Sequence, residues 1–140
     1  MMLRHLLPFA ALALASCSVM RGVTRKTELP HEVVPAEIPA AVMAHPSGPA
    51  VVPWDGSQLS VAFGDGDAKL LLSCYGRTLY AESLWLNRAP EPAVLRRSLQ
   101  LQEEVIQLLR ARFPSIPPIE IWEIRWYGID APPEAVAGEP

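Results

Sequence analysis

The sequence predicts an α+β fold. Its expected form is a small two-layer βββαβ domain, a four-stranded mixed sheet with one helix on one face, preceded by a Pro-rich disordered tether. Three observations carry this reading. Between 58 and 87, three apolar segments are separated by glycine-containing turns. From Pro90 to Arg112, apolar residues recur at helical spacing, and from Ile119 to Ile129 a segment rich in Ile and Trp reads as a last strand.

In the first strand Leu59, Val61 and Phe63 alternate with Ser60, Ala62 and Gly64, the pattern of a half-buried strand. Gly64-Asp65-Gly66-Asp67 follows, and Asp-Gly between two apolar runs is a strong hairpin signal. Asp65 and Asp67 could serve calcium, but the loop lacks the further oxygen ligands and distal Glu of a calcium loop, so a turn is the better reading. Leu70 to Tyr75 is almost continuously apolar, which suits a central strand, and Gly76-Arg77 turns the chain. Thr78 to Leu86 sets Leu79, Ala81, Ser83 and Trp85 on one face and Tyr80, Glu82, Leu84 and Leu86 on the other.

Asn87 to Pro92 ends the meander and opens the helix, since proline is tolerated in a first helical turn and Glu91 complements the dipole there. Leu95, Leu99, Ile106, Leu109 and Phe113 form one stripe, and Val94, Leu101, Val105 and Leu108 widen it to about half the circumference. That width implies either a deep groove beside Pro117-Pro118 or a second contact surface. Phe113-Pro114 stops the helix. In the last strand Ile119 and Ile121 share one phase while Trp122, Ile124 and Trp126 share the other, which calls for a bulge or burial on both faces. A strand–helix–strand crossover places this strand parallel to the third, paired beside it or beside the first. One helix covers one sheet face, so the other, apolar in several strands, is left to meet something.

Residues 18–56 carry Pro30, Pro35, Pro39, Pro46, Pro49 and Pro53. Each proline removes a donor and crowds the preceding turn, so the stretch reads as extended and partly polyproline II. At ~3 Å per residue it would hold the domain up to roughly 100 Å from its anchor. Arg21, Arg25 and Lys26 would sit as a solvated juxtamembrane segment or touch anionic headgroups.

Arg4 precedes an apolar run from Leu6 to Ala15, followed by small residues, which is the layout of a secretory signal and too short for a membrane span. Leu14-Ala15-Ser16-Cys17 resembles the lipobox of bacterial lipoprotein precursors. The resemblance covers only about the first 18 residues. It implies cleavage before Cys17, a diacylglyceryl group on its sulfur and acylation of its new amino group. Ser18, where Asp would favour inner-membrane retention, implies the outer membrane, facing the periplasm. The expected organisation is therefore 1–16 cleaved signal, 17–56 lipid anchor and tether, 57–130 α+β domain and 131–140 disordered tail.

The chain has 140 residues, a formal charge of −3 and two cysteines. One domain plus a tail fits that length, and nothing basic suggests nucleic acid. With Cys17 lipidated, Cys74 has no partner in the chain; its apolar setting reads as a buried small hydrophobe, with an intermolecular disulfide the alternative. The mature chain's histidines, His31 and His45, both fall in the expected tether, so nucleophile activation lacks a rigid base. No glycine-rich phosphate loop or metal-spaced cluster occurs, and no cofactor is expected. Glu82, Glu103, Glu104, Glu120, Glu123 and Asp130 could pair for acid–base work but mostly alternate with apolar residues, as solvated positions do. The expectation is a non-catalytic accessory module that docks on an envelope protein, or on a second copy, through Trp85, Trp122, Trp126 and Tyr127. The alternative is a carrier that holds a lipid or other apolar small molecule between helix and sheet.

Overall fold

The computed structural model describes residues 19–48, 50–51 and 59–130, with 50–51 as backbone only. The signal segment, Cys17, the expected domain start near Trp54 and the 131–140 tail lie outside the described residues.

The described chain is α+β, with one antiparallel sheet. Its strands are β1 (Met20–Glu28), the two-residue β2 (Ala50–Val51), β3 (Leu59–Asp65), β4 (Ala68–Tyr75), β5 (Thr78–Leu86) and β6 (Glu123–Tyr127). Two helices, α1 (Ile38–Val42) and α2 (Pro92–Arg112), accompany them. The strand order is β2-β3-β4-β5-β1-β6, and every neighbouring pair is antiparallel.

The β3–β4–β5 meander follows the predicted strands. Gly66 and Gly76 turn the two hairpins at φ of 62° and 61°, a left-handed conformation that glycine adopts without a Cβ penalty. Along β4 the core side is Leu70, Leu72 and Cys74, facing Phe63, Val61 and Leu59 of β3; Leu72 and Cys74 face Ala81 and Leu79 of β5. Cys74 is buried and free, its Sγ–H donates to the Gly76 carbonyl at 3.2 Å, and burial pushes its thiol up.

The expected tether is the main correction. Residues 20–48 belong to the fold, and β1 lies inside the sheet between β5 and β6. The sheet therefore has five strands of five or more residues plus the short β2 rung, rather than four, and is antiparallel rather than mixed. Prolines do not interrupt β1, because none lies between Cys17 and Pro30. Nor did apolar periodicity reveal β1: on the covered face it presents Val23, Arg25 and Thr27, and only Val23 is an aliphatic core residue. Past β1, Leu29, Val33, Ile38 and Val42 are all buried in the main core. Pro35 and Pro39 sit in the first turns of a 3₁₀ segment and of α1, where a missing N–H costs nothing. The Arg77 guanidinium fixes this segment by donating to the carbonyls of Pro30 (2.7 Å), His31 (3.1 Å) and Val33 (3.4 Å).

The last strand is corrected as well. Ile119–Ile121 forms a 3₁₀ turn, which accounts for the change of apolar phase, and β6 begins only at Glu123. Both β5 and β6 are antiparallel to β1, so they run in the same direction, as the crossover implied. They do not touch as a pair, because β1 fills the gap and makes a split β-α-β unit.

The helix α2 lies on the same face as Val23, Val61, Phe63, Leu70, Leu72, Leu79 and Ala81, burying Leu95, Leu101, Val105, Ile106 and Leu109. Its wide stripe is explained by α1, which packs on its flank beside the sheet contact. A polar seam crosses this interface. Gln102 Nε2 donates to Ser83 Oγ (2.9 Å), Ser83 Oγ donates to the Lys69 carbonyl (2.6 Å), and the Lys69 N–H donates to Ser98 Oγ (3.1 Å).

Gly22 is fixed by the central placement of β1. Its φ is +150°, and an added Cβ would strike the Ser83 carbonyl oxygen of β5. Gly22→Ala should therefore destabilise the protein by roughly 2–4 kcal/mol in urea unfolding, whereas Gly64→Ala, with open space at its Cβ position, should change it by less than about 0.5 kcal/mol.

Candidate interaction surface

The four aromatic residues expected to dock a partner are not brought into one patch. Trp122 is core: only 4% of it is exposed, and its indole N–H donates to the Pro117 carbonyl at 2.8 Å. Trp85 is half-buried at the end of β5, its indole N–H donating to the Asp67 carbonyl (3.3 Å) and the Lys69 ammonium lying 5.3 Å from its ring centroid. Trp126 and Tyr127 are consecutive in edge strand β6 and so project to opposite faces. Trp126 is registered with Val23 on the helix-covered side, and Tyr127 with Gly22 on the open side.

The open side has a more coherent surface, arranged along one rung. Ala62 of β3, Leu71 of β4, Glu82 of β5, Thr24 of β1 and Arg125 of β6 are paired in sequence across the sheet. The rung divides at Glu82. Toward β3, Ala62 and Leu71, together with Leu84 of β5 and Met20 at the start of β1, line an apolar trough of about 310 Å³ that also touches Lys69. Toward β6, Thr24, Lys26, Tyr80, Glu123, Arg125 and Tyr127 line a smaller polar hollow of about 160 Å³, where Lys26 and Glu123 form an ion pair at 3.4 Å. Glu82 borders both. Burial alone pushes its carboxyl above the ordinary range, because the apolar wall disfavours the charged form. Sequence reasoning passed over Glu82 as a solvated position. The apolar residues on both phases of the flanking strands were the available signal that its face is half-buried.

Arg25, expected in solvent beside the membrane, lies instead on the covered face, on the same rung as Leu72, Ala81 and Ile124. Its buried Nε has no hydrogen-bond partner among the described residues. Burial lowers its guanidinium pKa, opposed by the charges of Glu103 and Glu120.

A second cluster joins three parts of the chain. His45, expected in the tether, is 6% exposed, and its Nε2 donates to Glu104 Oε2 at 2.8 Å. Its Nδ1 accepts the Ser47 backbone N–H at 3.1 Å, which requires the unprotonated nitrogen and fixes the Nε2–H tautomer. Arg97 bridges Glu104 (3.3 Å) and Asp65 (2.7 Å), so the β3–β4 turn, α2 and the segment after α1 are clasped together. With both ring nitrogens engaged, His45 has none free to take a proton from a substrate. Asp65, weighed above as a calcium ligand, is committed to Arg97. Among the described residues, no group of three or more His, Cys, Asp or Glu side chains could hold a metal ion, and no helix is long and apolar enough to cross a membrane.

The bond from His45, with help from Arg97, holds the Glu104 carboxyl below its ordinary value of 4.5. A depressed acid stabilises the fold above that value and loses the contribution as pH falls through its folded-state pKa. Glu104→Gln should therefore lower the urea midpoint near neutral pH, with the deficit closing well below pH 4.5. Glu82 has the opposite sign. Its raised carboxyl favours the fold below 4.5 and loses that contribution as pH rises. Glu82→Gln should raise the melting temperature near neutral pH and leave it unchanged in acid; a lowered neutral-pH value would show the carboxylate to be paired.

Compared with known proteins, the chain matches no family model, no curated protein and no solved structure.

Proposed function

We propose that this chain is an envelope lipoprotein, anchored in the outer membrane through lipidated Cys17, and that it acts as a non-catalytic interaction module whose open sheet face docks a protein partner. The observation that carries the proposal is the trough over Ala62, Leu71 and Leu84, with the half-buried Glu82 carboxyl at its border and Lys69 among its lining residues. Keeping a carboxylate half-buried without a described cation bonded to it costs stability, and such a cost is commonly met at sites that bind. An apolar strip bordered by single charges suits a protein partner with an aliphatic ridge and a basic residue opposite Glu82. Tyr127, on the same face, extends the surface toward β6, whereas Trp122 serves the core. The space between α2 and the sheet is filled by Leu70, Leu72, Leu101, Ile106 and Leu109, which gives a carrier reading no support there.

The test is photo-crosslinking in intact membranes with benzoylphenylalanine at Leu71, and at Gln100 on the outer face of α2 as reference. One stoichiometric adduct at position 71, absent at 100, is the expected result. Leu71→Glu, checked to be folded, should reduce recovery of that partner at least about tenfold. Equal adducts at both positions, or none at 71, would reject the docking face. Cys17→Ser should leave the precursor unacylated, and normal acylation of that variant would refute the anchor.

A further inference from the structure

We propose that the end of the domain where β1 begins is a bilayer-seating surface, so that the domain rests on the lipid headgroups and is not held away from them. The inference rests on the lipoprotein reading and adds the surface and the orientation. Val19 is already pinned, since its N–H donates to Asn87 Oδ1 at 3.0 Å and its carbonyl accepts the Asn87 N–H at 2.7 Å. Asn87 holds a left-handed conformation, φ 63°, to make both bonds. Only Ser18 separates Val19 from Cys17. Two residues of fully extended chain span at most about 7 Å. The headgroup layer of one leaflet is itself about 5–7 Å thick. A lipidated Cys17 therefore brings the Val19 end to the headgroup layer whatever path Ser18 takes.

The residues at that end have the matching chemistry. Met20 is paired with Leu86, and Val19, Met20 and Leu86 are 51%, 50% and 61% exposed, among the most exposed large apolar side chains of the described chain. Trp85 lies beside them with Lys69 over its ring, and Arg88 follows on the surface. Indole rings and lysine or arginine side chains with apolar stems favour the headgroup level, where one end is apolar and the other wet. Three separate chain segments (the start of β1, the end of β5 and the β3–β4 turn) converge here because β1 is antiparallel to β5 and β5 to β4. At the opposite end the exposed Glu32 lies beside the Arg77 turn.

The test uses the full lipidated protein reconstituted in phosphatidylethanolamine–phosphatidylglycerol vesicles, with a nitroxide on Leu86→Cys or, as reference, on Glu32→Cys. Buried Cys74 should stay unlabelled under native conditions, checked on the chain without an added cysteine. Collision with oxygen, which concentrates in lipid, is compared with collision with a water-soluble nickel chelate. The expected result is an inverted ratio: oxygen dominates at 86 and chelate at 32. Chelate dominance at both positions, with mass spectrometry showing the diacylglyceryl group on Cys17, overturns the seating and leaves the anchor standing. A Cys17 without lipid overturns the anchor and the seating together. Should Leu86→Cys fail to fold, Val19→Cys provides the same readout from the same end.

Discussion

The insertion of β1 between β5 and β6 is the constraint on which the rest of the structure depends. Without it β6 would have no partner, α2 would cross over to an empty edge, and the segment that buries Leu29, Val33, Ile38 and Val42 would not be led to the core. The insertion needs a close approach at Gly22, where the β5 backbone leaves no room for a Cβ. It also needs a residue such as Val23 to close the core beside Ser83, and long polar side chains that tolerate partial burial on either face. These are weak local demands. Much of the strand's specificity comes from the two ladders on its flanks, which is a tertiary cause rather than a property of the nine residues themselves.

That explains which parts of the fold were legible in the sequence. The meander could be read because alternation, Asp-Gly and Gly-Arg turns and the Leu70–Tyr75 run all agree. The helix could be read because Leu95, Leu99, Ile106, Leu109 and Phe113 keep helical spacing over about five turns between a proline start and a proline stop. Residues 20–48 could not, since MRGVTRKTE carries no apolar alternation and the prolines that follow suggest an extended chain even where they begin helical turns. The placement of His45 was illegible for the same reason: Glu104 lies 59 residues away in sequence and meets it only through the packing of α1 on α2.

The candidate surface was half legible. An open apolar face was implied by one helix covering two-faced strands, and the structure leaves such a face on the β3–β4–β5 side. Aromatic bulk does not locate that face, because the four aromatic residues lie in different parts of the fold. Trp122 has the size of an interface anchor, but its indole N–H is satisfied inside the fold by Pro117, and Trp85 is likewise bonded to Asp67. The distinguishing property of the trough is a carboxyl whose solvation is reduced without a compensating bond, and that is a matter of three-dimensional surroundings.

The direction of β1 has a mechanical consequence. In a chain anchored at Cys17, as proposed, the first residue of β1 would be the one nearest the attachment, and the strand leading from it is an inner one, between β5 and β6. A tug between membrane and partner would pull β1 along its length, and the backbone bonds on both sides lie across that direction. They would be loaded together, as in a lap joint, and not opened one by one as at a peeling edge. Had β6, at the rim, been the strand leading to the anchor, the same tug would load a single five-residue ladder. With the proposed anchor at Cys17, an inner leading strand would let the domain bear tension at the point where that anchor applies it.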